Sequence, residues 1–349
     1  MCLVRDESRN IDGCRPVGLC MTSPPARAIR FDRAGGPDVL DWVEVDVPAP
    51  GPGQVTVRHT AVGLNFVDTY FRSGLYPARL PSGLGMEAAG VVEAVGDGVD
   101  LGVGDRVAYG TGPLGAYAEQ VTVPASGLVR VPDGIDDETA AAIMLKGLTV
   151  QYLLRQTHDV GPGTVVLGHA AAGGVGLILG QWAKALGATV IGTASSPEKR
   201  ELALANGYDH VIAYRDEGVD VAAAVRELTD GRGVDVVYDG VGADTFAASL
   251  DSLRPRGLLV TYGNASGPVP AFEPAILATK GSLFVTRPTL ASYADSPEAT
   301  QAMADDLFAV VASGDVSITV GQTVPLADAA HAHAELEAGR TTGSTVLVP

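Results

Sequence analysis

The stretch TVVLGHAAAGGVGLILGQWAKALG at residues 164–187 limits what this chain can fold into more than any other. Val165, Val166 and Leu167 make a short apolar run between turn residues, and residues 177–186 carry apolar side chains at helical spacing. That pattern predicts a buried strand feeding a packed helix. The turn between them reads Ala170-x-x-Gly173-x-x-Gly176, with Gly174 added. Glycine lets a backbone take positive φ, approach an anion without a Cβ, and seat a helix close to a strand so that unpaired N–H groups face a phosphate. In a chain with 44 glycines the pattern arises by chance, so its weight comes from its neighbours: the strand before, the helix after, and a second strand-like run, ATVIGT, at 188–193. Together they predict a dinucleotide-binding unit with Gly173, Gly174 and Gly176 around the pyrophosphate.

Length and charge bound what accompanies this unit. A chain of 349 residues suits two domains of ordinary size, and 46% hydrophobic, 19% charged and 5% aromatic residues is the make-up of a soluble α/β protein. A net charge of −17 repels phosphate at long range and argues against nucleic-acid or anionic-membrane binding. No apolar run reaches the ~18 residues of a membrane span, so a cytoplasmic protein is expected. Cys2, Cys14 and Cys20 all precede the first periodic pattern, which leaves the globular part without a disulfide or a thiolate ligand. Residues 1–20 are broken by Arg5, Asp6, Glu7, Arg9, Asp12 and Arg15 and hold no continuous apolar core of a secretory signal. Residues 1–25 read as a flexible extension, or as a misassigned upstream start with Met21 as the real one.

In chain order, residues 26–47 read as two strand-like segments around Gly35-Gly36-Pro37, and residues 54–63 as another strand containing His59, a structural rather than a catalytic histidine. Short strands spaced by Gly-Asp turns through residue 110 predict a partly open β-barrel-like domain. A helix at 145–155 leads into alternating strands and helices up to residue 262, the mark of a doubly wound parallel sheet. A strand at 282–286, a helix at 297–313, a strand at VSITV (316–320), a helix at 329–339 and a strand at 344–349 follow, and the closing elements are expected to fold back onto the first domain. The division is thus 26–148, 149–287 and a return at 288–349.

Sites for NAD place an acid at the end of the second strand, where it binds the ribose 2′-hydroxyl. Here that place falls near Ala194, flanked by Thr193, Ser195 and Ser196, with Lys199 one turn on. Small hydroxyls and a lysine accept a 2′-phosphate that a carboxylate would repel, so NADPH is favoured over NADH.

The order of β-barrel-like domain, AxxGxxG domain and returning tail resembles the medium-chain dehydrogenase/reductase superfamily. The stretches NFVDTYFRSGLYP, LPSGLGMEAAGVVEAVG, LGAYAEQ, LKGLTVQYLLR, HAAAGGVGLILGQWAKALGA, VVYDGVG, GSLFVTRP and TGSTVLVP look like its zeta-crystallin-type quinone oxidoreductases and span nearly all of residues 26–349. The resemblance implies a GroES-like catalytic domain beside a Rossmann domain, and a homodimer. Zinc-dependent members carry a cysteine where this chain has Asn65 and the histidine of a GHE motif where it has Met86; their four-cysteine lobe is absent. Glu87 alone is no zinc shell and reads as a structural hydrogen-bond acceptor.

Without a metal, the expected reaction is hydride delivery from NADPH to an electron-poor conjugated carbonyl, the resemblance implying a quinone. Resemblance places Asn65, Tyr70 and Tyr76 around the nicotinamide and the acceptor, as neutral donors that polarise a carbonyl. Half-buried loop aromatics are the plainer account of Tyr70 and Tyr76. Arg287 reads as a contact to cofactor or acceptor, or as an interface ion pair, because in these enzymes its strand tends to pair across a dimer. The resemblance also carries cofactor contacts to Tyr152, Gly174, Val175, Ser195, Lys199 and Tyr214, and to Tyr262, Asn264, Thr286 and Arg287. Two departures stand out: Gly240 in VVYDGVG replaces a serine, and Arg340 in EAGRTTGS is one place from the family's phosphate-contacting arginine. Two other functions fit the same fold: reduction of an enone or alkenal C=C bond with NADPH, and a non-catalytic NADPH-binding role, structural or nucleic-acid-binding, as in crystallin-type relatives.

Overall fold

The computed structural model describes residues 25–349, so the expectations for residues 1–24, the three cysteines and Met21 included, lie outside the described residues. Six parallel strands form one sheet, in the order His210–Ala213, Thr189–Ala194, Val165–Gly168, Val234–Asp239, Leu253–Thr261, Phe284–Thr286. Its central strands are rich in Val, Ile and Leu, and all of Val234–Asp239 is buried, its two aspartates included, as helices on both faces require. The strand order reverses between Val165–Gly168 and Val234–Asp239, and ligands of such sheets bind at that crevice.

A second, largely antiparallel sheet runs Val320–Pro325, Ser344–Val348, Gln54–Leu64, Glu87–Val95, Arg106–Tyr109, Val129–Arg130, with Gln120–Pro124 also on Gln54–Leu64. Ala26–Phe31 pairs with Asp41–Val45 and Ser82–Gly83 in a third, smaller sheet. The tail does fold back: Ser344–Val348 lies antiparallel on the end of Gln54–Leu64, and Gly343 N donates to Ala172 O at 2.9 Å inside the glycine turn.

Three segments depart from expectation. The helix placed at 145–155 is Asp137–Tyr152, followed by a π turn at Leu153–Thr157. Asp136 caps it by accepting from Thr139 N, with Asp137 and Glu138 in its first turn, and Ala140, Ala141 and Ala142 beyond them are fully buried, so the true start lies in the acidic DDET run upstream of the expected one. VSITV is not a strand. Val316 is buried in the core and Ile318 packs against it, while pairing begins at Val320, where Ser344 first lies alongside; the strand is Val320–Pro325. Residues 66–73, to which the sequence pattern assigned no element, form a helix, Phe66–Ser73, ended by Gly74 at φ 84°.

Candidate active site

The glycine turn is built as its composition requires. Ala170 sits at φ 54°, and a Cβ on Gly176 would come within 2.4 Å of Ala170 O, so only glycine fits there. Gly173 precedes the Gly174–Ala185 helix without any side-chain cap, which leaves the first-turn N–H groups of Gly174, Val175 and Gly176 open to an anion. Beneath the turn, buried His169 holds Thr193 Oγ1 and Ser249 Oγ, each at 3.0 Å, and fixes both strand ends.

At the end of Thr189–Ala194, Ser196 Oγ accepts from Lys199 N at 3.3 Å and starts the Pro197–Leu204 helix, so its hydroxyl serves the fold first. Lys199 Nζ donates to Gly339 O at 2.7 Å. Burial and the nearby Arg215 charge hold the Lys199 ammonium below its ordinary pKa. Arg215, which sequence reasoning passed over, lies with its guanidinium 5.7 Å from the Tyr214 ring centroid. Among the described residues neither Lys199 nor Arg215 has a carboxylate partner. The only hint in the sequence was its place just past the third strand of the sheet. Arg340 is drawn away: its Nε donates to Glu335 Oε2 at 2.8 Å and its Nη2 to Oε1 at 2.5 Å.

Across the crevice a second cluster forms. Tyr70 Oη accepts from Asn264 N at 2.7 Å, the two rings of Tyr70 and Tyr76 meet edge-on at 5.2 Å, and Arg287 Nη2 donates to Tyr76 Oη at 3.0 Å. The Asn264 amide oxygen accepts from Tyr76 Oη and Arg287 Nη2, each at 3.2 Å. Arg287 Nη1 reaches Thr261 O at 2.9 Å, one residue from Tyr262 and just past Thr286. Burial pushes the Tyr70 hydroxyl up to about 12, so it stays a neutral donor. Tyr152 stacks on Tyr293 with 4.5 Å between ring centroids. The Gly240 departure has a steric reason, because a Cβ there would lie 2.9 Å from Tyr262 Cζ and Oη.

Asn65 precedes the Phe66–Ser73 helix. Its backbone N–H goes to Asp68 Oδ2 at 2.9 Å, which frees its side chain to donate from Nδ2 to Glu87 Oε2 at 2.7 Å. Glu87 is fully buried and far from partnerless: Lys146 Nζ donates to the same Oε2 at 2.8 Å and Leu145 N to Oε1 at 2.6 Å. Behind it runs a buried polar chain. Tyr117 Oη donates to Asp68 Oδ2 at 2.9 Å, His333 Nε2 lies 3.1 Å from Tyr117 Oη, and Arg72 Nη1 lies 3.1 Å from His333 Nδ1 and pairs with Glu337. Because Arg72 can only donate, His333 accepts at Nδ1 and carries its proton on Nε2. Burial, then the Arg72 charge, lowers the His333 pKa to about 3, in keeping with a neutral ring. His59 is structural, as expected: it is buried, bonded to Ala118 O and Tyr109 Oη, and burial lowers its pKa to about 4.

Residues 51–133 match the alcohol dehydrogenase GroES-like domain and residues 174–305 match the zinc-binding dehydrogenase family. The chain is 60% identical to a quinone oxidoreductase of Pseudomonas aeruginosa over 326 residues, 93% of this chain and 100% of the relative. The chain belongs to the quinone oxidoreductases of the medium-chain dehydrogenase/reductase superfamily. A solved Escherichia coli quinone oxidoreductase complexed with NADPH superposes at a TM-score of 0.91 with 48% identity, covering 93% of this chain and 100% of that one. A 2-haloacrylate reductase from Burkholderia is 49% identical over 91% of this chain and 97% of its own. Both Glu87 oxygens are already taken by an ammonium, an amide and a backbone N–H, and Asn65 and Met86 offer no imidazole or thiolate.

Proposed function

We propose that the protein reduces quinones with NADPH, without a metal. The likeness to quinone oxidoreductases over the whole length of the relatives, one of them solved with NADPH, carries this reading. The residues fit the cofactor. The uncapped turn at Gly173–Gly174–Val175–Gly176 offers N–H groups to a pyrophosphate, and Lys199, Arg215 and Ser195 stand where a 2′-phosphate would lie. Ser196 and Tyr214 flank them. Arg340, tied to Glu335, contributes only through the Lys199 contact to the neighbouring Gly339 carbonyl.

When bound, NADPH supplies a hydride to the acceptor. The protein's part is to orient a flat acceptor and to present donors to the oxygen that gains charge. Tyr70 accepts from Asn264 N and so keeps its own O–H free to donate into the crevice. Asn264 and Arg287 hold Tyr76, and Asn65 is held by Glu87. Tyr152, Tyr262 and Thr286 flank these groups and would bound the nicotinamide side. The exposed edge strand Phe284–Thr286 supports a homodimer.

Steady-state NADPH oxidation with 1,4-benzoquinone and with a short 2-alkenal, before and after dialysis against a strong chelator, tests the reading. Higher kcat/KM on the quinone, unchanged by chelation, is expected. The second reading, C=C reduction, has the 2-haloacrylate reductase in its favour. A clear preference for the alkenal would establish it in place of the first.

A further inference from the structure

Lys146 has no place among the sequence-derived site residues, yet it is a buried cation set between the glycine turn and Glu87. It is 6% exposed. A Cβ on Gly174 would meet its Cδ at 2.7 Å and its Cε at 3.0 Å, so its stem runs over the glycine turn. Its head ends at Glu87 Oε2, the oxygen that also holds Asn65 Nδ2. Cation and amide therefore stand side by side at the nicotinamide end. An ammonium has three N–H donors, and among the described residues only the one to Glu87 is used. Glu87 itself accepts from Lys146, Asn65 and Leu145 N, so both of its oxygens are engaged within the protein. A buried ion pair adds little net stability over an apolar pair of the same volume, so its presence asks for another reason.

We propose that Lys146 is a catalytic residue: its ammonium donates a hydrogen bond to the acceptor oxygen that becomes negative, the task a metal ion performs in zinc-dependent members of the superfamily. The proposal rests on the NADPH reductase reading. In the step, hydride brings two electrons to the conjugated acceptor and oxidises the nicotinamide. The carbonyl π pair moves onto oxygen, and that oxyanion is held by Lys146 Nζ until water protonates it. Glu87 and the stem contact with Gly174 fix where the ammonium points, and Asn65 supplies a neutral donor beside it.

Lys146→Met alone leaves Glu87 as a bare buried charge, so the double variant K146M/E87Q carries the test beside the conservative Lys146→Arg. The double variant is expected to bind NADPH by calorimetry within about threefold of the parent, while kcat falls by roughly 100-fold, the scale of losing one oxyanion donor. Lys146→Arg is expected to restore part of that loss. A readout independent of turnover is 4-nitrophenol bound to the NADP⁺ complex. The parent should hold it as the yellow phenolate at a pH where the double variant holds the colourless phenol. A double variant with parental kcat overturns the proposal, as does one whose loss lies wholly in NADPH affinity, or one that binds phenolate as the parent does. A parent that fails to oxidise NADPH with every quinone and alkenal tried removes the reductase reading and this proposal together, whereas an active parent with an equally active double variant removes the proposal alone.

Discussion

Tyr70 Oη accepts the backbone N–H of Asn264 at 2.7 Å, joining residues 194 positions apart across the crevice. Tyr70→Phe keeps the ring and removes the acceptor, leaving the Asn264 N–H without its partner. The expected cost is roughly 1–2 kcal/mol of stability, and, on the proposed reading in which this O–H donates to the acceptor, kcat should fall more than NADPH affinity does. Urea unfolding and steady-state kinetics check both halves of this expectation.

Lys199 follows the strand Thr189–Ala194 and Arg215 follows His210–Ala213, and the Arg215 charge adds to burial in lowering the Lys199 pKa. Lys199→Ala and Arg215→Ala should each weaken NADPH binding about tenfold while changing the weaker affinity for NADH little. Calorimetric titration with both cofactors decides it; equal losses for both would mean that neither side chain reads the 2′-phosphate.

Asp68 is fully buried, and burial pushes its carboxyl from 3.8 up to about 7 despite the bonds from Asn65 N and Tyr117. Its Oδ1 has no partner, as a carboxylate would require. Between about pH 4 and 7 the folded protein holds a proton that the unfolded chain has released. Stability from this group is therefore present at low pH and is lost as pH rises through 7. Asp68→Asn has no such loss. The variant should gain on the parent by about 2–3 kcal/mol between pH 5 and pH 8 in denaturant unfolding.

Phe284 is 60% exposed on the outer edge of the six-stranded sheet. An apolar ring on an unpaired edge invites a second copy. Phe284→Asp should halve the molecular mass seen by light scattering, with NADPH binding retained.

Much of this was legible in the sequence for a physical reason. The glycine turn needs Gly176 because Ala170 O fills the space where a side chain would go, and such a steric demand leaves its mark in the residue type. The strands of the parallel sheet each carry a short apolar run, such as Val165–Leu167 or Leu258–Val260, that announces them. What stayed hidden depends on contacts between distant segments. Lys146 sits mid-helix in an alanine-rich run, and nothing local says that its head reaches Glu87, 59 positions earlier. The chain from Asp68 through Tyr117 and His333 back to Arg72 joins three segments distant in sequence, and nothing in any one of them says that the other two lie alongside. Arg215 looked like one more surface cation. The fate of VSITV turned on where its partner strand begins, which the alternation of Val316, Ile318 and Val320 does not encode.

The last strand, Ser344–Val348, is sandwiched between Gln54–Leu64 and Val320–Pro325, with Gly343 bonded into the glycine turn. Its position sets a timetable for synthesis. The strands between residues 54 and 130 are made long before the strand that completes their sheet. The parallel sheet, whose strands all lie between residues 165 and 286, can close while translation continues. The crevice between the two sheets, and with it the meeting of Lys146, Gly174 and Ser344, becomes complete only once Ser344–Val348 has been made and has paired.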